Sequence, residues 1–111
     1  MTPGDGAKGG RPNPIRGEAS LAVAGQAHVL RPTFAALVAA EDELGPLFAL
    51  VERAGAGQLR LAELAALFWH CLAERGELSR EQVGDAVLAA GLAGCAPALR
   101  GLLGQILQGR A

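Results

Sequence analysis

One stretch, Gly17–Phe34 (GEASLAVAGQAHVLRPTF), has the character of β-strands, and the chain beyond it has the spacing of helices. A lone two-stranded hairpin is marginal in water. The chain must therefore lay this hairpin on its own helices or add it to another chain's sheet. Leu21, Val23, Val29 and Leu30 supply the apolar and β-forming residues. Gly25-Gln26 reads as a two-residue type II′ turn, with glycine where φ must be positive. That register sets Val23 opposite His28 and Leu21 opposite Leu30. These four share the core face, with Ser20, Ala22, Ala24, Val29 and Arg31 on the other. Pro32 ends the second strand because it has no N–H to donate, and Thr33 is a fair N-cap for a first helix.

Five helices are expected beyond it. The first is Phe34–Leu44, with a stripe of Phe34, Leu37, Val38 and Leu44, broken by Gly45-Pro46. Its end carries Glu41, Asp42 and Glu43, which oppose the helix dipole. A short second helix, Leu47–Arg53, stops before Gly55-Ala56-Gly57. The strongest pattern is Leu61–Arg75, with Leu61, Leu64, Ala65, Phe68 and Leu72 on one face and Gly76 as C-cap. Ser79 and Gln82 form a capping box that starts Arg80–Ala90, whose Val83, Ala86, Val87 and Ala90 point inward. Pro97 suits the first turn of a fifth helix, striped by Leu99, Leu102, Leu103, Ile106 and Leu107. The fold class is thus mainly α (α+β): an N-terminal hairpin followed by about five short helices in a small bundle. Met1–Pro14 is rich in Gly and Pro and is expected to be a disordered tail, which leaves residues 15–111 as one helical domain.

Composition narrows the function classes. The chain has 111 residues, enough for one domain. With three Phe, one Trp and no Tyr, its core must be close-packed from small aliphatics or completed by another chain. A formal charge of −1 with scattered arginines argues against nucleic acid, whose binding needs a basic surface. No apolar run reaches the ~18–20 residues that span a bilayer, so no membrane is expected and the cytoplasm is the expected location. Cys71 and Cys95 lack a CxxC spacing and read as two buried thiols.

Little points to chemistry. His70 and Cys71 are neighbours about 100° apart on a helix, so they diverge, and His28 lies in the hairpin. No metal, cofactor or catalytic set is expected, and the chain does not read as an enzyme. The glycines of the tail neither follow a strand nor open a helix, so they are no phosphate loop. Trp69 sits beside the main stripe, as a core-edge residue or as a contact anchor of the kind enriched at interfaces.

The segment RGEASLAVAGQAHVLRPTFAALVAAEDELG carries a resemblance. Arg16, Gly17, Glu18, the run Leu30, Arg31, Pro32, Thr33 and Phe34, and Glu41 and Gly45 resemble the pattern of the gene-transfer-agent and prophage tail family of alphaproteobacteria. Leu61–Arg75 with Trp69, and LSREQVGDAVLAAGL, also resemble it, so the likeness covers about Arg16–Gln108. It implies a role in building the tail of a phage-like particle. The family is labelled a tail tube protein and is also grouped with tail assembly chaperones. A tube subunit is generally larger and β-rich, and one hairpin with five helices cannot fill such a sheet. The favoured expectation is an assembly chaperone that binds tape-measure and tail tube proteins, with self-association as a further option. A structural tube component is the first alternative, and a small helical adaptor or regulator the second. Leu30, Arg31, Pro32, Phe34 and Trp69 are the expected partner-binding residues.

Overall fold

The computed structural model describes residues 19–109. The expected disorder of Met1–Pro14 lies outside them. The order of elements is β1 (Ala19–Val23), β2 (Gln26–Leu30), α1 (Phe34–Leu44), α2 (Leu47–Gly55), α3 (Leu61–Cys71), α4 (Arg80–Ala90) and α5 (Leu92–Gln108). One antiparallel hairpin precedes five helices, as the sequence pattern requires.

The hairpin turns one residue earlier than expected. Val23 pairs with Gln26, Leu21 with His28 and Ala19 with Leu30, so the two-residue loop is Ala24-Gly25. Both loop residues have positive φ, 53° at Ala24 and 83° at Gly25, the signature of a type I′ turn. That turn matches the right-handed twist of the strands with glycine in its second position, where the expected type II′ turn would have used it in the first. The correction slides the pairing by two residues and not by one. Strand side chains alternate with period two, so the core face is unchanged. Ala19, Leu21, Val23 and Leu30 are buried and His28 is half-buried on that face, while Ala22 and Ala27 are exposed on the other.

The buried face of the hairpin lies on helices. β1 packs against α4 and α5, α3 packs against α1 and α4, and α2 packs against α1. Phe68, Leu30, Leu50, Leu67 and Leu102 are the largest fully buried side chains, joined by Val23, Val83, Val87 and both cysteines. Burial of small aliphatics around a single Phe is how a chain with few aromatics fills its interior.

Three helix boundaries differ from the sequence pattern. Helix α3 stops at Cys71, not Arg75, because its next residues pair with the hairpin. Leu72 forms an antiparallel bridge with Leu30. The Arg31 N–H donates to the Cys71 carbonyl at 2.6 Å, and the Ala73 N–H to the Val29 carbonyl at 2.9 Å. Leu72 is accordingly extended (φ −58°, ψ 124°), so the strand edge overrides a helical stretch. Gly76 then serves a turn beyond the helix. Helix α2 runs on to Gly55. Helix α5 begins at Leu92, which leaves Pro97 inside it and beyond the first turn.

Several facing assignments also change. On α3 Leu61 of the expected stripe is exposed, and on α5 so is Leu107. On α1 the buried residue is Ala40, with Ala36, Leu37 and Leu44 packed against the core, while Phe34 is 85% and Val38 41% exposed. On α4, Val83, Ala86 and Val87 are buried as expected, but Ala90 is exposed. The caps at Thr33 and Ser79 form as read: Thr33 Oγ1 accepts from Ala36 N–H at 3.1 Å and Ser79 Oγ from Gln82 N–H at 3.1 Å.

Two outcomes test this packing. Phe68→Ala should destabilise the protein by about 3–5 kcal/mol in urea denaturation, and a loss below about 1 kcal/mol would contradict its central place. Ala24→Asn should raise stability by about 0.5–1 kcal/mol, since Asn-Gly suits a type I′ loop and an L-residue with a β-carbon strains there. A loss of stability would place residue 24 in the strand and restore the other register.

Candidate interaction surface

The five residues expected to meet partners do different things. Leu30 is fully buried and bridges to Leu72. Arg31 is exposed, with its backbone tied to Cys71. Pro32 is half-buried, and the Thr33 N–H closes a tight turn around it by donating to the Arg31 carbonyl at 2.9 Å. Phe34 projects outward from the first turn of α1. Trp69, two residues before Cys71, is half-buried. The junction 30–34 is thereby fastened to the end of the helix that carries Trp69. Within the junction, Arg31 and Phe34 offer surface and Leu30 anchors from inside.

Two guanidinium groups cover Trp69. The Cζ of Arg75 lies 4.0 Å and that of Arg80 4.6 Å from its ring centroid. His70 meets it edge-on at 5.2 Å between centroids. Arg80 also grips Glu43 of α1 through two parallel hydrogen bonds, and His70 Nε2 donates to the same carboxylate at 2.9 Å. Glu43 therefore ties α1 to α3 and to the first turn of α4. The Arg80 hydrogen bonds, then that of His70, lower its pKa to about 2.

The acids at the end of α1 make sense in this light. They oppose their own helix dipole but serve neighbours. Glu41 Oε2 accepts the Leu47 N–H at 3.0 Å, which caps α2 where Pro46 offers no side-chain cap. Glu63 does similar work at α3. Its Oε1 accepts from Arg60 N–H at 2.9 Å and from Arg53 Nη1 at 2.7 Å, and these partners, Arg53 first, bring its pKa to about 2.

The cysteines are built for packing. Both are free and buried. Burial pushes the Cys71 thiol up to about 12 and raises that of Cys95, which opposes thiolate chemistry. Among the described residues no three His, Cys, Asp or Glu side chains are grouped to hold a metal ion. No single described helix is long and apolar enough to cross a membrane.

The surface is rich in apolar area. Phe34, Val38, Phe48, Leu61, Leu88, Leu92 and Leu107 are exposed. Phe48 is 83% exposed, which the sequence pattern of α2 did not single out. An open groove of about 260 Å3 lies between α1, α2 and the end of α5, lined by Leu37, Leu47, Phe48, Val51, Ile106 and Leu107. A second of about 340 Å3, with a more polar lining, runs along β2 from Gln26 to Arg31 and is closed by Ala73 and Glu74.

A family model described as "Phage tail tube protein, GTA-gp10" matches residues 16–109. The chain belongs to this family. The match spans the hairpin and all five helices. It agrees with the resemblance at Arg16–Gln108 and makes the chain a phage-tail component of the gene-transfer-agent type, in place of an unrelated helical adaptor. No curated protein and no solved structure matches the chain.

The Glu43 cluster gives a pH prediction. Between about pH 4.5 and 2 the unfolded state binds more protons at this site than the folded one, so its contribution is present above the unfolded pKa and lost as pH falls. The Glu43 side chain is 37% exposed, so solvent screening keeps the effect modest. Glu43→Gln should lower stability at pH 7 and flatten its decline between pH 5 and 2. A decline as steep as that of the wild type would contradict the linkage.

Proposed function

We propose that this family member acts as a tail assembly chaperone, which holds tape-measure and tube proteins in soluble form until the tail polymerises. The observation that carries this reading is how little sheet the chain offers. A tube wall is built from sheet that continues between subunits, whereas here β1 and β2 make up one two-stranded sheet. Its buried face lies on α4 and α5, and the Val29–Leu30 end of the β2 edge is taken by residues 71–73. The remaining surface is helical, with exposed Phe and Leu side chains suited to cover the apolar stripes of another helix.

On this reading the protein works by binding and not by catalysis, in the cytoplasm of the bacterial host, and needs no cofactor. The described residues hold no activated thiol and no cluster that could take a metal. Arg31 and Phe34 at the junction, and Trp69 beneath its arginines, belong to the contact surface, while Leu30 and Pro32 fix the junction's shape.

A second reading has its own support. The family description itself names a tail tube protein, which favours a structural component of the particle. A subunit of that kind would need to add strands at the open part of the β2 edge or along β1.

Co-expression of the tagged full chain with the tape-measure and tube proteins of the same gene cluster tests the proposal. Retention of the tape-measure protein through purification is expected. Retention of neither protein would sink the chaperone reading.

A further inference from the structure

We propose that the groove between α1, α2 and α5 is the docking site for one amphipathic partner helix of about four turns that carries basic residues beside its apolar stripe. This deepens the chaperone reading and rests on it, but the site is argued from the shape and charge of the surface.

The groove is longer than one pocket. Near the start of α2 its walls are Phe48 and Val51 on one side and Ile106 and Leu107 on the other. Near the end of α2 a further groove of about 180 Å3 has Ala54 and Leu59 facing Leu92, Ala96 and Leu99. The start of α2 thus faces the end of α5, and the end of α2 faces its beginning, so a partner helix that fills both grooves would use them as one trough. The α5 wall from Leu92 to Leu107 spans about 22 Å at ~1.5 Å per residue, the length of a four-turn helix. Helix α5 buries Cys95, Ala98 and Leu102 inward and leaves Leu92, Leu99 and Ile106, seven residues apart, as a second stripe along this trough. Phe34 and Val38 extend the apolar surface along α1 beside Leu37, so the trough ends in a cluster of exposed aromatic and aliphatic groups.

Charge selects the occupant. Glu41 lies one turn beyond Leu37, with its carboxylate at the Leu47 N–H, and Glu52 lies one turn beyond Phe48; both are exposed. The one cation on α1 or α2 is Arg53, and it is neutralised by Glu63. The α1–α2 wall is therefore acidic beside an apolar floor. The cation on the α5 wall, Arg100, is exposed next to Leu99 and about two turns from Leu107, so the acidic rim belongs to the Phe48–Leu107 end of the trough. A second copy of the chain would bring the same acidic wall against itself. The segment before Ala19 offers Ile15 as its one large apolar residue after Met1, too little to fill four turns. A basic amphipathic helix from another protein satisfies both the floor and the rim.

The test uses the full chain with an 18-residue Leu/Lys amphipathic peptide and its Leu/Glu counterpart, mapped by backbone amide NMR at moderate salt. The Leu/Lys peptide is expected to shift amides of residues 47–54 and 92–107 and to bind at least about tenfold tighter than Leu/Glu. Phe48→Glu and Glu52→Lys should each weaken it several-fold while keeping the wild-type melting temperature, because both side chains are exposed. Shifts confined to the β2 edge, equal binding of the two peptides, or a dimer that Phe48→Glu dissociates would overturn the proposal. Failure of the two readings is separable. If the wild type retains the tape-measure protein and Phe48→Glu retains it equally, the groove is wrong and the chaperone role stands. If the wild type retains neither tail protein but the peptide maps to the trough, the groove stands and that role falls.

Discussion

Leu30 is the point at which strand, connection and helix are locked together. Its side chain is fully buried, its backbone bridges to Leu72, and the hydrogen bonds on either side of it join Val29 to Ala73 and Arg31 to Cys71. A two-stranded hairpin of this size would not hold its shape in water. Here it does so because α4 and α5 cover one face and a short extended segment covers part of one edge. A buried Leu contributes on the order of 2–5 kcal/mol. Against a net stability of about 5–15 kcal/mol for a small domain, this joint is a large share of what holds the hairpin to the body.

The same joint explains where the sequence was legible and where it was not. Capping chemistry is local, so Thr33 and Ser79 announced α1 and α4 to the residue, and the helical periods of α3 and α5 exposed their existence. The early stop of α3 was not visible, because LAER continues a good helical pattern and only pairing with β2 pulls Leu72 into an extended form. The position of the turn is not fixed locally, because glycine fits two positions of two turn types and the sequence around Gly25 allows both. The outward turn of Phe34 and Val38 was hidden for a related reason. Hydrophobic spacing marks an apolar stripe but does not say whether this chain or another covers it. Residues 30–34 were recognisable as a family signature, but which of them face solvent needed the fold.

The acidic end of α1 shows how charges that look unfavourable in sequence become structural. Glu41 caps the following helix and Glu43 gathers His70 and Arg80, so α1, α2, α3 and α4 are held in one arrangement by two carboxylates. That arrangement leaves the apolar edge of α1 and α2 open beside the exposed carboxylates of Glu41 and Glu52. A family that carries the name of the tail tube here presents helices outward and keeps its only described sheet, two strands wide, largely for itself.

The central claim is that this chain helps to build the tail without becoming its wall. Quantitative mass spectrometry of purified particles, compared with lysates of assembling cells, tests it most directly. A chaperone is expected to be abundant during assembly and absent, or far below the tube subunit, in finished particles. Recovery from finished particles at the copy number of the tube wall would contradict it.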